Sequence, residues 1–132
     1  MAIIYTTRKR AQPGVKGGGN MKYYADIVIQ GVDKIDDLIK RIEKSTTFSE
    51  PDIIGIVYAL INEIENSLSN TKAVHFDKLV TFYPLVHSTG SDNEEHLNES
   101  NIISTDVRAN VSKKLVKKLN NVPYQKVKKG KH

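Results

Sequence analysis

The feature that most constrains the fold is a long predicted helix whose apolar residues are not confined to one face. It begins at Ser49-Glu50-Pro51-Asp52, where serine can cap, proline suits the first turn and acids favour the helix N-terminus. It should continue to about Ser67, with apolar residues at Ile53, Ile54, Ile56, Val57, Ala59, Leu60, Ile61, Ile64 and Leu68. Such a helix must be buried on more than one side. A chain of 132 residues can achieve this most easily by forming a dimer.

The remaining elements predict an α+β fold. A short amphipathic helix should open at Asp33 and precede the long helix. Strand-forming residues occupy four segments, Ile3 to Lys9, Tyr23 to Ile29, Ala73 to His87 and Ile102 to Asn110. The first two strands flank a glycine-rich loop predicted to be a floppy linker, and Pro84 places part of the third at a sheet edge or bulge. A short basic helix from about Ser112 to Asn120 follows, and Val127 to His132 is predicted to be a disordered tail.

The two ends of the chain are basic and its middle is acidic. Residues 1–25 hold five Lys or Arg and no acid, residues 26–106 hold six bases and fifteen acids, and residues 107–132 hold nine bases and no acid. On a helix, Lys113, Lys114, Lys117 and Lys118 form one side, which we call the lysine stripe. Leu115, Val116 and Leu119 form the other side. A basic stripe backed by a core-facing stripe indicates a polyanion partner, although lysine-rich ends are often only solubilising.

Several classes of function are not favoured by the sequence. There is no cysteine, so thiolate metal sites, disulfides and thiol nucleophiles are excluded. The three glycines at 17–19 lead into a strand without the Lys-Ser or Lys-Thr of a P-loop. The histidines at 75, 87 and 96 lack ligand spacing, and the aspartates at 33, 36 and 37 suit the first turn of a helix. We therefore expect no enzyme activity, cofactor, metal or small-molecule substrate.

The sequence also gives an expectation for location. No stretch of about 18 apolar residues occurs, and the first eight residues lack the charged-then-apolar order of a secretory signal. The chain is expected to be cytoplasmic, without a membrane partner.

The order of elements and several local sequences resemble the HU and integration host factor family of bacterial nucleoid proteins. Residues 33–121 cover that whole domain, with Thr81-Phe82 at the family's Thr-Phe pair and the segment from Val107 to Leu119 at its last strand and closing helix. Lys78 and Val80 occupy glycine positions of the family's Gly-Phe-Gly turn, so the turn must be made differently or replaced by a regular strand. The strands with Ile3-Ile4-Tyr5 and Lys22-Tyr23-Tyr24 are similar to the extension of the HU-like group common in Bacteroidetes.

This resemblance implies a fold and a function. It implies an intertwined homodimer whose helices form a base and whose two β-arms embrace double-stranded DNA, with little sequence preference and a capacity to bend it. The implied organisation is an N-terminal β-strand extension at 1–32, an HU-like DNA-binding domain at 33–122 and a basic tail at 123–132. The protein would then be an architectural, nucleoid-associated protein of the bacterial cytoplasm.

The acidic segment between the arm strands modifies that expectation. Residues 88–100 contain Asp92, Glu94, Glu95 and Glu99 but no lysine or arginine, and an acidic tip repels phosphate. We therefore predict that DNA lies elsewhere, with the arms short, disordered or turned away. The predicted DNA-binding residues are Arg8, Lys9, Arg10, Arg108, Lys113, Lys114, Lys117 and Lys118.

Two alternatives stay open at this stage. The chain is either a DNA binder or an HU-fold protein-interaction scaffold that has lost DNA wrapping. A further possibility is that the acidic middle of one subunit neutralises the basic end of its neighbour, which would make the charge pattern an assembly device.

Overall fold

The structure is a computed structural model that describes residues 1–128. The predicted tail from Val127 therefore falls largely on residues 129–132, which lie outside the described residues. The helices are α1 (Ile35–Ser45), α2 (Glu50–Ser69) and α3 (Lys113–Asn120). The strands are β1 (Ile3–Arg10), β2 (Lys22–Ile27), β3 (Val74–Phe76), β4 (Val80–Ser88), β5 (Ile102–Val111) and β6 (Tyr124–Lys126). The described residues divide into two compact units, one of residues 1–34 and 118–128 and one of residues 35–117.

The terminal unit contains a three-stranded sheet in the order β2-β1-β6. β1 pairs antiparallel with β2 and parallel with β6, and both β1 and β2 were predicted to be strands. The parallel strand was not predicted, because Tyr124-Gln125-Lys126 is too short to carry a periodic pattern. β6 is held against β1 by backbone hydrogen bonds at both of its ends. Ile3 N donates to Pro123 O at 2.8 Å, and Val127 N donates to Tyr5 O at 2.9 Å.

The glycine-rich loop between β1 and β2 is closed by its own hydrogen bonds, in place of the floppy linker predicted from composition. Gln12 N donates to Gly18 O at 2.8 Å, and Gly18 N donates to Val15 O at 3.0 Å. Gly19 has φ +53°, and a Cβ there would lie 2.9 Å from Val15 Cγ1. Only glycine therefore fits this position without rearrangement.

The middle unit is built on α1 and α2, which pack through a small core. Ile39 and Ile53 are 1% and 4% exposed, and they are the only buried apolar side chains among residues 1–128. Ser49 precedes α2 as predicted, but its hydroxyl donates to the Asp52 carboxylate at 2.8 Å instead of capping a backbone amide. Asp36 and Asp37 lie in the first turn of α1, whereas Asp33 precedes the helix. Long apolar side chains of α2, including Ile56 and Leu60, remain exposed in the single chain.

The second sheet has the order β3-β4-β5. The tight turn between β3 and β4 is kept despite the missing glycines, because Asp77 adopts a left-handed conformation at φ +43°. Aspartate tolerates this region better than most residues. β3 pairs only with residues 80–82 of β4, so Pro84 lies beyond it at a free edge, where its missing N–H leaves no ladder bond unmade.

The β-arm is formed by β4 and β5, which pair from Val80↔Val111 to Ser88↔Ile102 with a bulge after His87. The expectation of a short or disordered arm is wrong, because the strands have nine and ten residues and the arm tip, residues 89–101, is hydrogen-bonded. Thr89 N donates to Asn101 O at 2.9 Å. Asn98 Oδ1 accepts from Ser100 N at 2.9 Å, while Asn98 N donates to Asn101 Oδ1 at 3.0 Å. The tip is therefore a folded acidic cap on the arm.

Candidate nucleic-acid interface

The predicted basic helix is present as α3, and its first turn is anchored to the second sheet. The Ser112 hydroxyl accepts from Lys114 N at 3.2 Å, which satisfies one of the free amides at the helix start. Ser112 N donates in turn to Leu79 O at 2.8 Å, in the turn between β3 and β4. The turn that Asp77 makes possible therefore fixes where α3 begins.

The lysine stripe is exposed along α3. None of its four side chains has an ion-pair partner in the part of the chain that the structure describes. Of the residues predicted to lie on the opposite side, Leu115 is half-buried, while Val116 and Leu119 remain about half exposed. The apolar side of α3 is therefore only partly covered within one chain.

Two of the four lysines of α3 are opposed by the helix dipole. Its first turn contains Lys113 and Lys114 and no acid. The N-terminal end of a helix carries partial positive charge, so cations there are destabilising and anions are favoured. The two lysines therefore weaken the helix in the absence of an anion and would gain from one nearby.

Arg108 lies on β5 opposite Tyr83 and is exposed. It belongs to the same unit as Lys113, Lys114 and Lys117, while Lys118 falls just past the boundary between the units, which lies within α3.

Arg8, Lys9 and Arg10 lie on β1, in the terminal unit, and are divided between the two faces of its sheet. Arg8 Nε lies 3.1 Å from Asp26 Oδ2, and the Arg10 guanidinium lies 4.8 Å from the centre of the Tyr24 ring. Lys9 is on the other face, with Nζ 6.0 Å from the centre of the Tyr23 ring. Because side chains alternate along a strand, the three cannot act together on one ligand surface.

The histidines of the second sheet have local partners. His75 Nδ1 shares a hydrogen bond of 2.9 Å with the Thr81 hydroxyl, across the β3–β4 pair. His87 Nε2 lies 3.5 Å from Asp106 Oδ2 on the arm, with both side chains exposed. The amide of Val107 donates to Asp106 Oδ1 at 2.7 Å. This bond, followed by that from His87, holds the pKa of Asp106 below its ordinary value.

Sequence reasoning missed one cluster of this molecule. It placed Tyr124 in a tail, whereas β6 brings its ring to 6.4 Å from that of Tyr5, with the rings nearly perpendicular. No local signal could have shown this contact, because the two residues are joined only by a pairing between the two ends of the described chain.

The two helices, the arm and the closing helix define a mixed α+β protein of the HU-like class. The family described as an HU domain fused to a winged helix-turn-helix, an immunoglobulin or a glycine-rich motif matches residues 1–126. The chain therefore belongs to this HU-HIG family.

A solved structure supports the same fold. A candidate bacterial DNA-binding protein from Bacteroides vulgatus ATCC 8482 aligns over 98% of this chain with a TM-score of 0.67 and 8% sequence identity. This chain spans 50% of the length of that protein. No curated protein sequence matches the chain. Among residues 1–128, no helix is both long and apolar enough to span a membrane.

Proposed function

We infer that the chain is an architectural protein that binds double-stranded DNA with little sequence preference. It would act as a homodimer in the bacterial nucleoid, in the cytoplasm, and would bend the DNA it binds. The HU-HIG family and the similarity to the Bacteroides vulgatus protein support DNA as the partner. The proposed contacts are the lysine stripe and Arg108.

The observation that carries this proposal is the unpaired lysine stripe. Four exposed cations on eight residues repel one another, and two of them also oppose the helix dipole. Such a helix is tolerated when a polyanion neutralises it, and a DNA backbone offers phosphates at regular spacing to exposed lysines. Contacts of this kind carry no sequence information, which is why we propose little sequence preference.

Dimerisation is proposed because one chain leaves its main helix incompletely covered. A groove of about 280 Å³ runs between α2 and the turn of the second sheet. Its lining is entirely apolar: Ile35, Val57, Leu60, Ile61, Ile64, Phe76, Leu79, Val80 and Phe82. Ile54, Ile56 and Tyr58 add further exposed apolar surface on α2. Apolar surface of this extent favours a second copy of the chain, as the resemblance to HU implies.

A scaffold function is the second candidate, and the folded acidic tip favours it. A tip that only had to avoid DNA could be irregular, whereas this one is closed by side-chain and backbone bonds between Thr89, Asn98 and Asn101. A fixed arrangement of acids suits recognition of a basic protein surface. In that case the arms would bind protein while the lysine stripe only solubilises the chain.

The two candidates are separated by fluorescence-anisotropy titration of a labelled linear duplex and a nicked or pre-bent duplex at several salt concentrations. For the architectural protein, affinity falls steeply with salt and is higher for the pre-bent duplex. Equal affinity for both duplexes would support DNA binding and contradict the proposal that the protein bends DNA. No binding at low salt would leave the scaffold function.

A further inference from the structure

One face of the terminal sheet exposes aromatic side chains to solvent. Residues directly opposite each other on paired strands share a face, and the register places Lys9 opposite Tyr23, Tyr5 opposite Ile27 and Ile3 opposite Tyr124. We call this set the tyrosine face: Ile3, Tyr5, Lys9, Tyr23, Ile27, Tyr124 and Lys126. Tyr23, Tyr124 and Ile27 are 70%, 64% and 57% exposed. On the opposite face, Tyr24, Asp26 and Val28 are half-buried.

A sheet face turned to solvent is ordinarily polar, so this pattern calls for a ligand. The side chains of Ile3, Tyr5, Ala25, Ile27 and Tyr124, together with Asp26, line a groove of about 440 Å³. The Asp26 carboxylate does not make the groove acidic, because it is paired with Arg8 at 3.1 Å on the other face. The charges on the tyrosine face are those of Lys9 and Lys126.

We propose that the tyrosine face binds single-stranded nucleic acid by stacking unpaired bases on its tyrosines. Tyr23 and Tyr5 lie four strand positions apart, which is about 13 Å, and Tyr124 adds a second ring 6.4 Å from Tyr5. Exposed rings beside lysines are the combination that accepts bases and phosphates of a flexible strand without regard to sequence. Duplex DNA does not fit, because its bases are already stacked on one another.

Charge and composition favour this ligand over a protein partner. The tyrosine face has one cation beside Tyr23 and one beside Tyr5, namely Lys9 and Lys126, and no acidic side chain of its own. A nucleic acid strand matches both features, since it supplies aromatic surface and regularly spaced negative charge. The proposal does not depend on duplex binding by the lysine stripe, because the two surfaces belong to different elements.

The test is a titration of the full chain with labelled oligo(dT) of about 12 nucleotides, a length within the range bound by single-strand domains. Anisotropy reports binding, and intrinsic fluorescence reports stacking, because the chain has six tyrosines and no tryptophan. We expect saturable binding with quenching of tyrosine emission. The double variant Tyr23→Leu/Tyr124→Leu should weaken binding by about tenfold or more and remove most of the quenching.

The matched control is Tyr24→Leu, which changes the neighbouring tyrosine on the opposite face and should leave oligo(dT) affinity close to wild type. Tyr83→Leu, on β4 of the other unit, is a second control in case Tyr24→Leu disturbs the sheet. Circular dichroism checks that each variant is folded. Absence of oligo(dT) binding by the wild type, or equal losses in the double variant and both controls, would overturn the proposal. A double variant that changes only the sedimentation coefficient would also overturn it and assign the face to contacts between copies of the chain.

Discussion

The closing helix and the arm tip carry opposite charges, and they differ in how those charges are accommodated. The four lysines of α3 have no acidic partners within the described residues, and the helix dipole opposes two of them. The tip instead satisfies its own polar groups through Asn98, Asn101 and Thr89, and its acids project from a framework that is closed without them. The charges of the tip therefore sit on a framework that uncharged groups hold together, whereas two charges of α3 weaken the helix that carries them and would be stabilised by an anion.

Reversing the lysine stripe should give the largest effect. The variant Lys113→Glu/Lys114→Glu/Lys117→Glu/Lys118→Glu should lower duplex affinity by roughly a thousandfold or more at low salt, because each lost phosphate contact also removes counterion release. Anisotropy at several salt concentrations measures both the affinity and its salt slope. Unchanged duplex binding by a folded variant would mean that α3 does not bind DNA.

The left-handed conformation of Asp77 should contribute to the stability of the fold. Asp77→Val places a β-branched residue at φ +43° and should lower the free energy of unfolding by about 1–2 kcal/mol. Asp77→Gly is the matched control and should be neutral or slightly stabilising, because glycine adopts this conformation freely. Urea unfolding of both variants measures the difference. Equal stabilities would show that the left-handed turn is not maintained in solution.

Neutralising the tip should change DNA binding far less than reversing the stripe. The variant Asp92→Asn/Glu94→Gln/Glu95→Gln/Glu99→Gln removes long-range repulsion and should tighten duplex binding by no more than about tenfold, with the gain vanishing at high salt. A larger gain would indicate that the tip itself contacts DNA. Loss of DNA binding would contradict the contrast between the two regions.

The internal bonds of the tip predict a local effect on stability. Asn98→Ala removes the side-chain acceptor for Ser100 N and should cost about 1 kcal/mol. Hydrogen exchange should therefore accelerate at the amides of Ser100 and Asn101 while α3 keeps its protection. Unchanged exchange in the tip would show that these bonds are not formed persistently.

The smallest expected effect is a pH dependence on the arm. The pKa of Asp106 is lowered in the folded state. The ionised carboxylate therefore stabilises the fold at pH values above the ordinary pKa of about 4. This contribution is lost as the pH falls through the lowered pKa. Thermal unfolding between neutral and acidic pH should be slightly less pH-dependent in Asp106→Asn. Identical pH profiles for the wild type and Asp106→Asn would show that Asp106 does not contribute to the pH dependence of stability.

Local patterns predicted the helices well, and pairings distant in sequence were what they missed. α2 was expected from Ser49 to about Ser67 and runs from Glu50 to Ser69, because capping residues and periodicity are read within a few turns. β6 was missed because its three residues become a strand only through β1. The order in the tip was missed because it comes from paired amide side chains, which look like an ordinary polar linker in a sequence.

The same difference between local patterns and distant pairings applies to the residues predicted for the candidate site. Helical spacing placed the lysine stripe on one side of α3, since charge and period are both local. The three cations of β1 were grouped by their adjacency in sequence, yet strand geometry separates Lys9 from Arg8 and Arg10. Neighbouring residues on a strand point to opposite faces of its sheet. The register of the sheet was therefore needed to show which of the three charges lie on the same face.

The parallel pairing of β1 with β6 has a consequence for the order in which the chain matures. During synthesis β1 and β2 emerge before the middle unit, but a hairpin of two strands is only marginally stable in water. Their third strand, at Tyr124–Lys126, is made after the whole of residues 35–117. The sheet of β1 and β2 is therefore completed only after the middle unit has been made, and a nascent chain stalled before residue 124 would carry an unfinished sheet.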